Sequence, residues 1–268
     1  MQGRVLIIAG SDSGGGAGIQ ADIKTVTALG GYAATAVTAL TAQDTFGVHE
    51  VVAVAPAFVA RQIALVLDDI GADAVKTGML HDAAVIEAVA DMLGRKARDV
   101  PLVVDPVMVA KRGAQLLAAD AVVSLKRRLV PLAALVTPNL PEAEALIGQK
   151  IPSRAAMEGA ARHLLELGCK AALLKGGHLD GPTVADVLVS ADKSEILERP
   201  RIATKHTHGT GCTLASAIAS GLAQGLALGD AVQRARDYVQ EAIRSAPALG
   251  GGQGPLNHAH TVRPFPLP

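Results

Sequence analysis

Short apolar runs alternate with amphipathic segments along most of the chain, and glycine or polar residues follow each run. The first run, Val5 to Ala9, is rich in β-branched residues and passes through a glycine-rich loop into the segment Ile19 to Leu29. Apolar side chains recur at helical spacing in that segment. This pattern predicts a strand, a loop and a helix at the start of the chain.

The same alternation predicts most of the remaining elements. The further predicted strands are Tyr32 to Leu40, Asp73 to Lys76, Leu102 to Val104, Ala134 to Val136 and Ala171 to Leu174, and the further helices are Ala57 to Leu67, Ala83 to Leu93, Ala118 to Leu129 and Ala155 to Leu167. The segments Val184 to Val189 and Glu195 to Leu197 predict a hairpin. Because unbroken apolar strands are typical of a parallel sheet covered on both faces, we expect an α/β fold. The expected architecture is one three-layer α/β/α domain over residues 1–268 with a mostly parallel central sheet, and the glycine- and proline-rich tail, 247–268, carries no pattern that predicts its order.

The composition excludes some classes of function. Of the 268 residues, 50% are hydrophobic, while Lys plus Arg and Asp plus Glu both number 25, so the formal net charge is zero. A neutral chain has no excess of positive charge with which to bind nucleic acid or an anionic membrane. With no Trp, two Tyr and three Phe, platforms for base stacking are also scarce. We therefore expect neither nucleic acid nor a membrane among its partners.

The two cysteines, Cys169 and Cys212, are too few for a disulfide framework or a four-thiolate zinc site. The apolar run from Val5 to Ala9 is too short for a signal sequence or a membrane span. We therefore expect a cytoplasmic protein whose thiols are reduced, with a structural role for Cys169.

The segment Thr207-His208-Gly209-Thr210-Gly211-Cys212, followed by a stretch of small and apolar residues, has the pattern of an anion site. Glycines let the backbone turn with its amides facing one point, and a helix that starts there adds its free N–H groups and positive dipole end. The same field favours the thiolate of Cys212, which places a candidate base beside a candidate phosphate site. An ordinary glycine turn with a buried cysteine is the other interpretation.

Polar residues also follow five predicted strands, and ligands bind at the carboxyl ends of strands in open α/β sheets. These clusters are Gln43-Asp44, Lys76-Thr77-Gly78-Met79, Asp105-Pro106-Val107-Met108, Thr137-Pro138-Asn139-Leu140-Pro141-Glu142 and Lys175-Gly176-Gly177-His178. Together they supply what phosphoryl transfer needs: Asp105 and Glu142 for Mg²⁺ through water, and Lys175 for the phosphate oxygens. Taken singly, each has a turn or capping interpretation, such as Asn139 as a helix N-cap with Glu142 in the first turn.

Two other glycine-loop chemistries are less well matched. A loop ending in Gly-Lys-Ser/Thr is absent, which disfavours a P-loop phosphotransferase. The segment from Gly16 to Ala21 fits the Gly-x-Gly-x-x-Ala pattern of an NAD-dependent oxidoreductase, but the acidic residue expected about 20 positions later is missing.

The order of these motifs closely resembles the bacterial hydroxymethylpyrimidine/phosphomethylpyrimidine kinases of thiamine biosynthesis, within the ribokinase-like superfamily. The resemblance covers nearly the whole chain. It rests on eight ordered motifs: Ala9-Gly10-Ser11-Asp12, Gly15-Gly16-Ala17-Gly18-Ile19-Gln20-Ala21-Asp22, Thr41-Ala42-Gln43-Asp44-Thr45, Lys76-Thr77-Gly78-Met79-Leu80, Val104-Asp105-Pro106-Val107-Met108, Thr137-Pro138-Asn139-Leu140-Pro141-Glu142-Ala143, Lys175-Gly176-Gly177-His178 and Thr207-His208-Gly209-Thr210-Gly211-Cys212.

The resemblance implies a ribokinase-like fold and an enzyme that uses ATP to phosphorylate 4-amino-5-hydroxymethyl-2-methylpyrimidine and then its monophosphate. A homodimer is also implied. The implied roles are pyrimidine binding by Asp22, Gln43, Met79 and Val107, ATP binding by Asn139, Lys175 and Thr207, Mg²⁺ near Asp105 and Glu142, and catalysis by Gly209, Thr210, Gly211 and Cys212. Ribokinase-like enzymes generally carry an aspartate at the position of Cys212, so its role as a base depends on the helix-end field lowering the thiol pKa.

Alternatives within and outside the superfamily stay open at this point. Some pyridoxal kinases resemble this branch almost throughout, including the cysteine. We favour the pyrimidine because Gln43 stands where those kinases carry methionine, and its amide can both donate to and accept from an aminopyrimidine edge. A non-catalytic ligand-binding relative would bind without turnover.

Overall fold

The computed structural model describes residues 2–108, 116–117 and 120–264. The strands are β1 (Arg4–Asp12), β2 (Tyr32–Asp44), β3 (Gly47–Ala53), β4 (Ala74–Thr77), β5 (Leu102–Val104), β6 (Leu135–Val136), β7 (Ala171–Leu174), β8 (Thr183–Ser190) and β9 (Ser194–Pro200). The helices are α1 (Gly18–Ala28), α2 (Pro56–Asp69), α3 (Ala83–Lys96), α4 (Ala121–Ser124), α5 (Leu140–Ile147), α6 (Met157–Leu165), α7 (Thr210–Ala223) and α8 (Leu228–Arg244).

One sheet runs through the molecule in the order β3-β2-β1-β4-β5-β6-β7-β8-β9. The six strands from β2 to β7 in this order pair in parallel, whereas β3 at one edge and β8-β9 at the other pair antiparallel. This confirms the expected mostly parallel sheet, with hairpins at its two edges.

Alternating side chains of each central strand enter two separate cores, as the pleat of a strand requires. In β1, Leu6 and Ile8 pack with α2 and α3, whereas Val5 and Ile7 pack with α7 and α8. Helices α2 to α6 cover one face, and α1, α7 and α8 cover the other. The three-layer α/β/α architecture is confirmed.

The predicted elements are found, with differences at four places. Strand β2 continues to Asp44 and turns into β3, which the sequence pattern did not predict, and α8 was not predicted either. The helix predicted near Ala118 to Leu129 begins partly outside the described residues. Its described part is α4 followed by a π-helical turn at Leu125–Leu129 and a 3₁₀ turn at Val130–Leu132.

The described part of the tail, residues 247–264, packs against α7 and α8. Tyr238 Oη donates to the carbonyl of His258 at 2.7 Å, and His258 Nε2 lies 2.9 Å from Thr213 Oγ1. The amide of His208 donates to the carbonyl of Gly254 at 3.2 Å. The tail therefore supports the start of α7 and the loop before it.

Within the described ranges, no helix has the length and apolar character needed to span a bilayer. Cys169 is buried, and burial raises its pKa to about 11, so its expected structural role agrees with its surroundings.

The buried imidazole of His258 makes stability depend on pH. Burial, with the nearby cationic groups of Lys24 and His260, lowers the pKa of His258 to about 4 from 6.5. Since the unfolded chain binds this proton more tightly, the contribution of His258 to stability is present above pH 6.5 and is lost as the pH falls towards 4. The expected loss is about 3 kcal/mol.

Chemical denaturation between pH 4 and 7 tests this expectation with His258→Gln, which keeps a hydrogen-bonding group that does not titrate. The variant should flatten the dependence of unfolding free energy on pH. His49→Gln, which removes an exposed imidazole, is the control for any histidine substitution. Equal pH dependence in native protein and His258→Gln would contradict the expectation.

Candidate active site

A cavity of about 1060 Å³ opens at the carboxyl ends of the parallel strands. It lies where the strand order reverses between β1 and β4, which is where open α/β sheets bind ligands. All but one of the predicted site residues line it: Gln43, Met79, Asp105, Val107, Asn139, Glu142, Lys175, Thr207, Gly209, Thr210, Gly211 and Cys212. Residues far apart in sequence therefore meet at one edge of the sheet.

The glycine turn before α7 has the geometry of an anion site. Gly209 adopts a left-handed φ of 80°, and a side chain there would overlap the carbonyl oxygen of Gly16. Helix α7 begins at Thr210, and its first intrahelical bond runs from the amide of Thr213 to the carbonyl of Gly209 at 2.9 Å. The amides of Gly211 and Cys212 precede that bond, so they stand among the free N–H groups of the helix end. The predicted helix start, with Cys212 in the first turn, is confirmed.

A buried ion pair lies against this turn. Lys175 Nζ is 2.9 Å from Asp105 Oδ1, and Thr137 Oγ1 donates to the same oxygen at 3.1 Å. A Cβ on Gly211 would lie 3.3 Å from Lys175 Nζ. Burial alone would lower the pKa of the Lys175 ammonium, but the carboxylates of Asp105 and Glu142 raise it. Lys175 is therefore a fixed positive charge beside the glycine turn.

Asn139 and Glu142 form the capping box of α5. The amide of Asn139 donates to Glu142 Oε2 at 2.8 Å, and the amide of Glu142 donates to Asn139 Oδ1 at 2.9 Å. Burial and the neighbouring Asp105 raise the pKa of Glu142 to about 7, against the attraction of Lys175. The capping interpretation is thus confirmed, and the same carboxyl group also faces the cavity.

The two carboxyl groups fit a hydrated Mg²⁺ better than a fully protein-ligated metal. Across the described ranges, no group of three or more His, Cys, Asp or Glu side chains has a metal-binding arrangement. Mg²⁺ commonly takes only one or two carboxylates, with water and phosphate oxygens completing its shell.

Asp22 is the exception among the predicted site residues, because it lies beneath the cavity instead of on its wall. Its carboxylate accepts from Lys76 Nζ at 2.8 Å and from Ser216 Oγ at 2.7 Å. The side chains of Asp22 and Lys76 are completely buried. Direct contact between Asp22 and a substrate is therefore not supported, and the residue instead joins α1, β4 and α7 in the floor of the site.

The thiol of Cys212 differs from the expectation of an easily formed thiolate. Burial raises its pKa to about 12; Lys76 opposes that shift, while Asp22 and Asp105 add to it. The sequence predicts a lowered thiol pKa from the helix end alone. Asp22 and Asp105 come near the sulfur only in the folded structure, and they act in the opposite direction. At neutral pH the thiol of the free protein is protonated.

Two further residues, Asp12 and His208, belong to the site although the sequence pattern did not predict a role for them there. Asp12 is buried at the end of β1, and its carboxylate accepts from the amides of Gly14, Gly16 and Ala17 at 2.8, 3.1 and 2.8 Å. His208 Nε2 lies 2.9 Å from Asp12 Oδ2, and these bonds hold the pKa of Asp12 below its usual value despite burial. The Gly-Ser-Asp sequence after the first strand was the available signal for Asp12.

This arrangement removes the basis for a dinucleotide site at the first glycine loop. A pyrophosphate would need the amides of that loop, and the carboxylate of Asp12 already binds three of them. The loop instead closes against the turn that precedes α7.

Gln43 lines the cavity near the end of β2. The partner strand β3 bulges beside it, because Ala42 pairs with Glu50 and Gln43 pairs with Val48, which leaves His49 as the extra residue. The Gln43 amide accepts from Thr41 Oγ1 at 3.2 Å, and its nitrogen lies 3.1 Å from His208 Nε2. Met79 and Val107 add an apolar wall to the same part of the cavity.

Comparison with known proteins agrees with this geometry. The family model described as phosphomethylpyrimidine kinase matches residues 12–257. The hydroxymethylpyrimidine/phosphomethylpyrimidine kinases of Streptomyces coelicolor and Escherichia coli are 48% and 45% identical, with 95% of this chain and 93% and 97% of theirs covered. The thiamine biosynthesis bifunctional protein ThiED of Geobacter sulfurreducens is 55% identical over 96% of this chain, which spans about half (52%) of that longer protein.

Solved structures give the same fold. The phosphomethylpyrimidine kinase of Clostridium difficile is 42% identical with a TM-score of 0.80, covering 90% of this chain and 99% of that one. The ADP complex of Bacillus subtilis pyridoxal kinase is 35% identical with a TM-score of 0.89, covering 97% and 98%. The family model and the relatives in sequence cover nearly all of the chain, and from them we conclude that it belongs to the phosphomethylpyrimidine kinase family.

Proposed function

We propose that this protein transfers the γ-phosphoryl group of ATP to 4-amino-5-hydroxymethyl-2-methylpyrimidine and then to its monophosphate. The observation that carries the proposal is the meeting of the Lys175–Asp105 ion pair with the glycine turn of α7, in the cavity that also contains Gln43. Phosphoryl transfer requires a positive charge, free backbone amides and a site that hydrogen-bonds the substrate receiving the phosphoryl group. The names of the relatives at 44% to 55% identity support the same reaction.

The nucleotide binds along the ends of β6 and β7. Asn139 and Thr207 line its path, and Lys175 neutralises phosphate oxygens. Asp105 and Glu142 hold Mg²⁺ through water, and the metal ion supplies charge neutralisation on the phosphates. The backbone from Gly209 to Gly211 receives the negative charge that spreads over the transferring group, because its N–H groups are already oriented.

The acceptor lies over the β1 and β4 ends. Gln43 hydrogen-bonds the aminopyrimidine edge, while Met79 and Val107 contact the flat apolar ring. Asp22 acts from below through Ser216, which lies one helical turn after Cys212 on α7. The role of Asp22 is to hold α7, the helix that follows the glycine turn.

Pyridoxal phosphorylation is the second candidate. A specific observation favours it: two structures of the pyridoxal kinase from Staphylococcus aureus in complex with pyridoxal, one of them also with AMP-PCP, superpose with TM-scores of 0.88 and 0.90 at 33% identity. Gln43 argues for the pyrimidine as the main substrate, because its amide can both donate to and accept from an aminopyrimidine edge.

Cys212 assists loss of the hydroxymethyl proton, but its raised pKa limits when it can act. The transition state of phosphoryl transfer is loose, so little proton transfer is needed before the bond to the leaving group breaks. Only the thiolate form of Cys212 can accept that proton. At any pH below the pKa, an increase of one pH unit raises the thiolate fraction about tenfold. If the thiolate is the base, kcat should therefore rise with pH.

Assembly and location complete the proposal. Leu40 and Val52 pair across β2 and β3 at the edge of the sheet, and they are 50% and 53% exposed. Such an apolar pair on an antiparallel edge suits a homodimer contact. We place the enzyme in the cytoplasm, where ATP is available and both thiols stay reduced.

Side-by-side assays with the pyrimidine, its monophosphate and pyridoxal test the proposed reaction, and Gln43→Met tests the selecting residue. We expect ATP consumption with both pyrimidines, and a loss of about tenfold or more in pyrimidine kcat/KM for the variant. Pyridoxal kcat/KM should fall much less. Equal losses on the two substrate classes would refute the selecting role, and a native enzyme active only on pyridoxal would refute the main proposal.

Substitutions at Cys212 test the proton role. Cys212→Ala should lower kcat by about 10²-fold or more while the KM for ATP changes little. In the native enzyme kcat should rise with pH from 7 to 9, whereas Cys212→Asp, whose carboxyl group ionises at lower pH than the thiol, should give a flatter profile. Unchanged kcat in Cys212→Ala would remove the thiol from the mechanism.

Sedimentation velocity tests the dimer. The native chain is expected to sediment as a dimer and Val52→Lys as a monomer, because the new charge would be buried without a partner. A monomeric native chain at micromolar concentration would exclude this assembly.

A further inference from the structure

A second buried ion pair lies behind the turn that carries Lys175. Asp186 on β8 and Arg236 on α8 are 7% and 6% exposed, and Arg236 Nε donates to Asp186 Oδ2 at 2.9 Å. A terminal guanidinium nitrogen of Arg236 also donates to the carbonyl of Leu197 on β9, at 2.7 Å. Three elements therefore fix one carboxylate at the rim of the cavity.

The other oxygen of Asp186 binds the backbone of the Lys175 turn. The amide of Gly176 donates to Asp186 Oδ1 at 3.1 Å, beyond the last ladder pair of β7 and β8, Leu174 with Val187. A Cβ at Gly176 would collide with the carbonyl oxygen of Ala185, so the turn packs directly on β8. Beyond the last backbone pair of β7 and β8, the Asp186 carboxylate is therefore the hydrogen-bond acceptor for the next amide of the chain.

The direction of the Lys175 side chain depends on this turn. The amide of Lys175 donates to the carbonyl of Pro138 at 2.9 Å, and its ammonium reaches Asp105. The backbone is therefore held on one side of Lys175 by β6 and on the other by Asp186. If the second support is lost, the ammonium group has a wider choice of positions.

We propose that Asp186, held in place by Arg236, is a positioning residue that aims Lys175 at the phosphates of the bound nucleotide. This inference rests on the proposed kinase function. In this proposal the Asp186 carboxylate does not contact the nucleotide. It acts through its hydrogen bond with the amide of Gly176.

Because the Asp186–Arg236 pair is buried, its positioning role can be tested separately from its contribution to stability. Replacing a buried ion pair by apolar residues of similar volume is often neutral or stabilising, because the desolvation of two charges is avoided. The variant D186L/R236M should therefore fold while lacking the acceptor for Gly176. The variant D186N/R236M is also uncharged but keeps an amide oxygen in place of that acceptor.

The experiment measures ADP affinity by calorimetry in the presence of Mg²⁺, the KM for ATP and for the pyrimidine, and the melting temperature of each variant. For D186L/R236M we expect ADP affinity to fall and the KM for ATP to rise by about tenfold, with the pyrimidine KM changed less than about twofold. D186N/R236M should stay within about threefold of the native enzyme. A purely structural role would change the melting temperature and both KM values together.

Asp237→Asn is the matched control, because Asp237 follows Arg236 on α8 and forms an exposed ion pair with Arg199 on β9. Its nucleotide affinity should equal that of the native protein. If D186L/R236M does not fold, Asp186→Glu replaces it, since this variant keeps the charge opposite Arg236 but moves the acceptor by one methylene; it too should raise the KM for ATP.

The outcomes separate the inference from the proposed function. Native ADP affinity in D186L/R236M, equal loss in both double variants, or an equal loss in Asp237→Asn would overturn the positioning role. A native protein that binds no ADP would overturn the kinase proposal itself. A native protein that binds ADP without phosphorylating the pyrimidine would refute the acceptor while leaving the positioning test intact.

Discussion

The geometry of the cavity floor depends on one buried ion pair, Lys76 with Asp22. Lys76 lies on a central strand and is completely enclosed, so its ammonium must be compensated within the protein. The carboxylate that compensates it also binds Ser216 on α7, one turn after Cys212. A buried pair of this kind contributes little net stability, but removal of one partner leaves an uncompensated charge. The pair therefore fixes where α7 begins relative to the sheet, and with it the position of the glycine turn.

Buried carboxylates recur in this fold as acceptors for loop amides. Asp12 binds the first glycine loop, Glu142 binds the amide of Asn139, and Asp186 binds the amide of Gly176. In each case the loop follows a strand of the parallel sheet, where the ladder of backbone bonds has ended and the amides need other partners. The turn before α7 differs, because the amides of Gly211 and Cys212 precede the first helical bond and both residues line the cavity. The candidate anion site is thus a helix end, where a ligand instead of a carboxylate of the protein can accept from the free amides.

The sequence pattern was sufficient for the layers, the parallel order of the central strands and most cavity residues, because buried strands and the glycine turn leave local signals. It missed β3, whose exposed and mixed residues have no clear period, and α8, although the apolar residues of that helix recur at helical spacing. Pairings such as Asp22 with Lys76, 54 positions apart, have no local signal at all. The same limit applies to Cys212: the helix end is visible in sequence, whereas the two carboxylates that raise its pKa are brought near only by the fold.

The charges around the glycine turn bear on how a nucleotide would bind there. Two ammonium groups, Lys76 and Lys175, are outnumbered by the carboxyl groups of Asp22, Asp105 and Glu142, and the carboxylate of Asp105 helps to raise the pKa of both Asp22 and Glu142. A polyphosphate that entered without a cation would add further negative charge beside these carboxyl groups. Mg²⁺ would offset part of the phosphate charge beside Asp105 and Glu142, which is why we expect a nucleotide to bind there together with its metal ion.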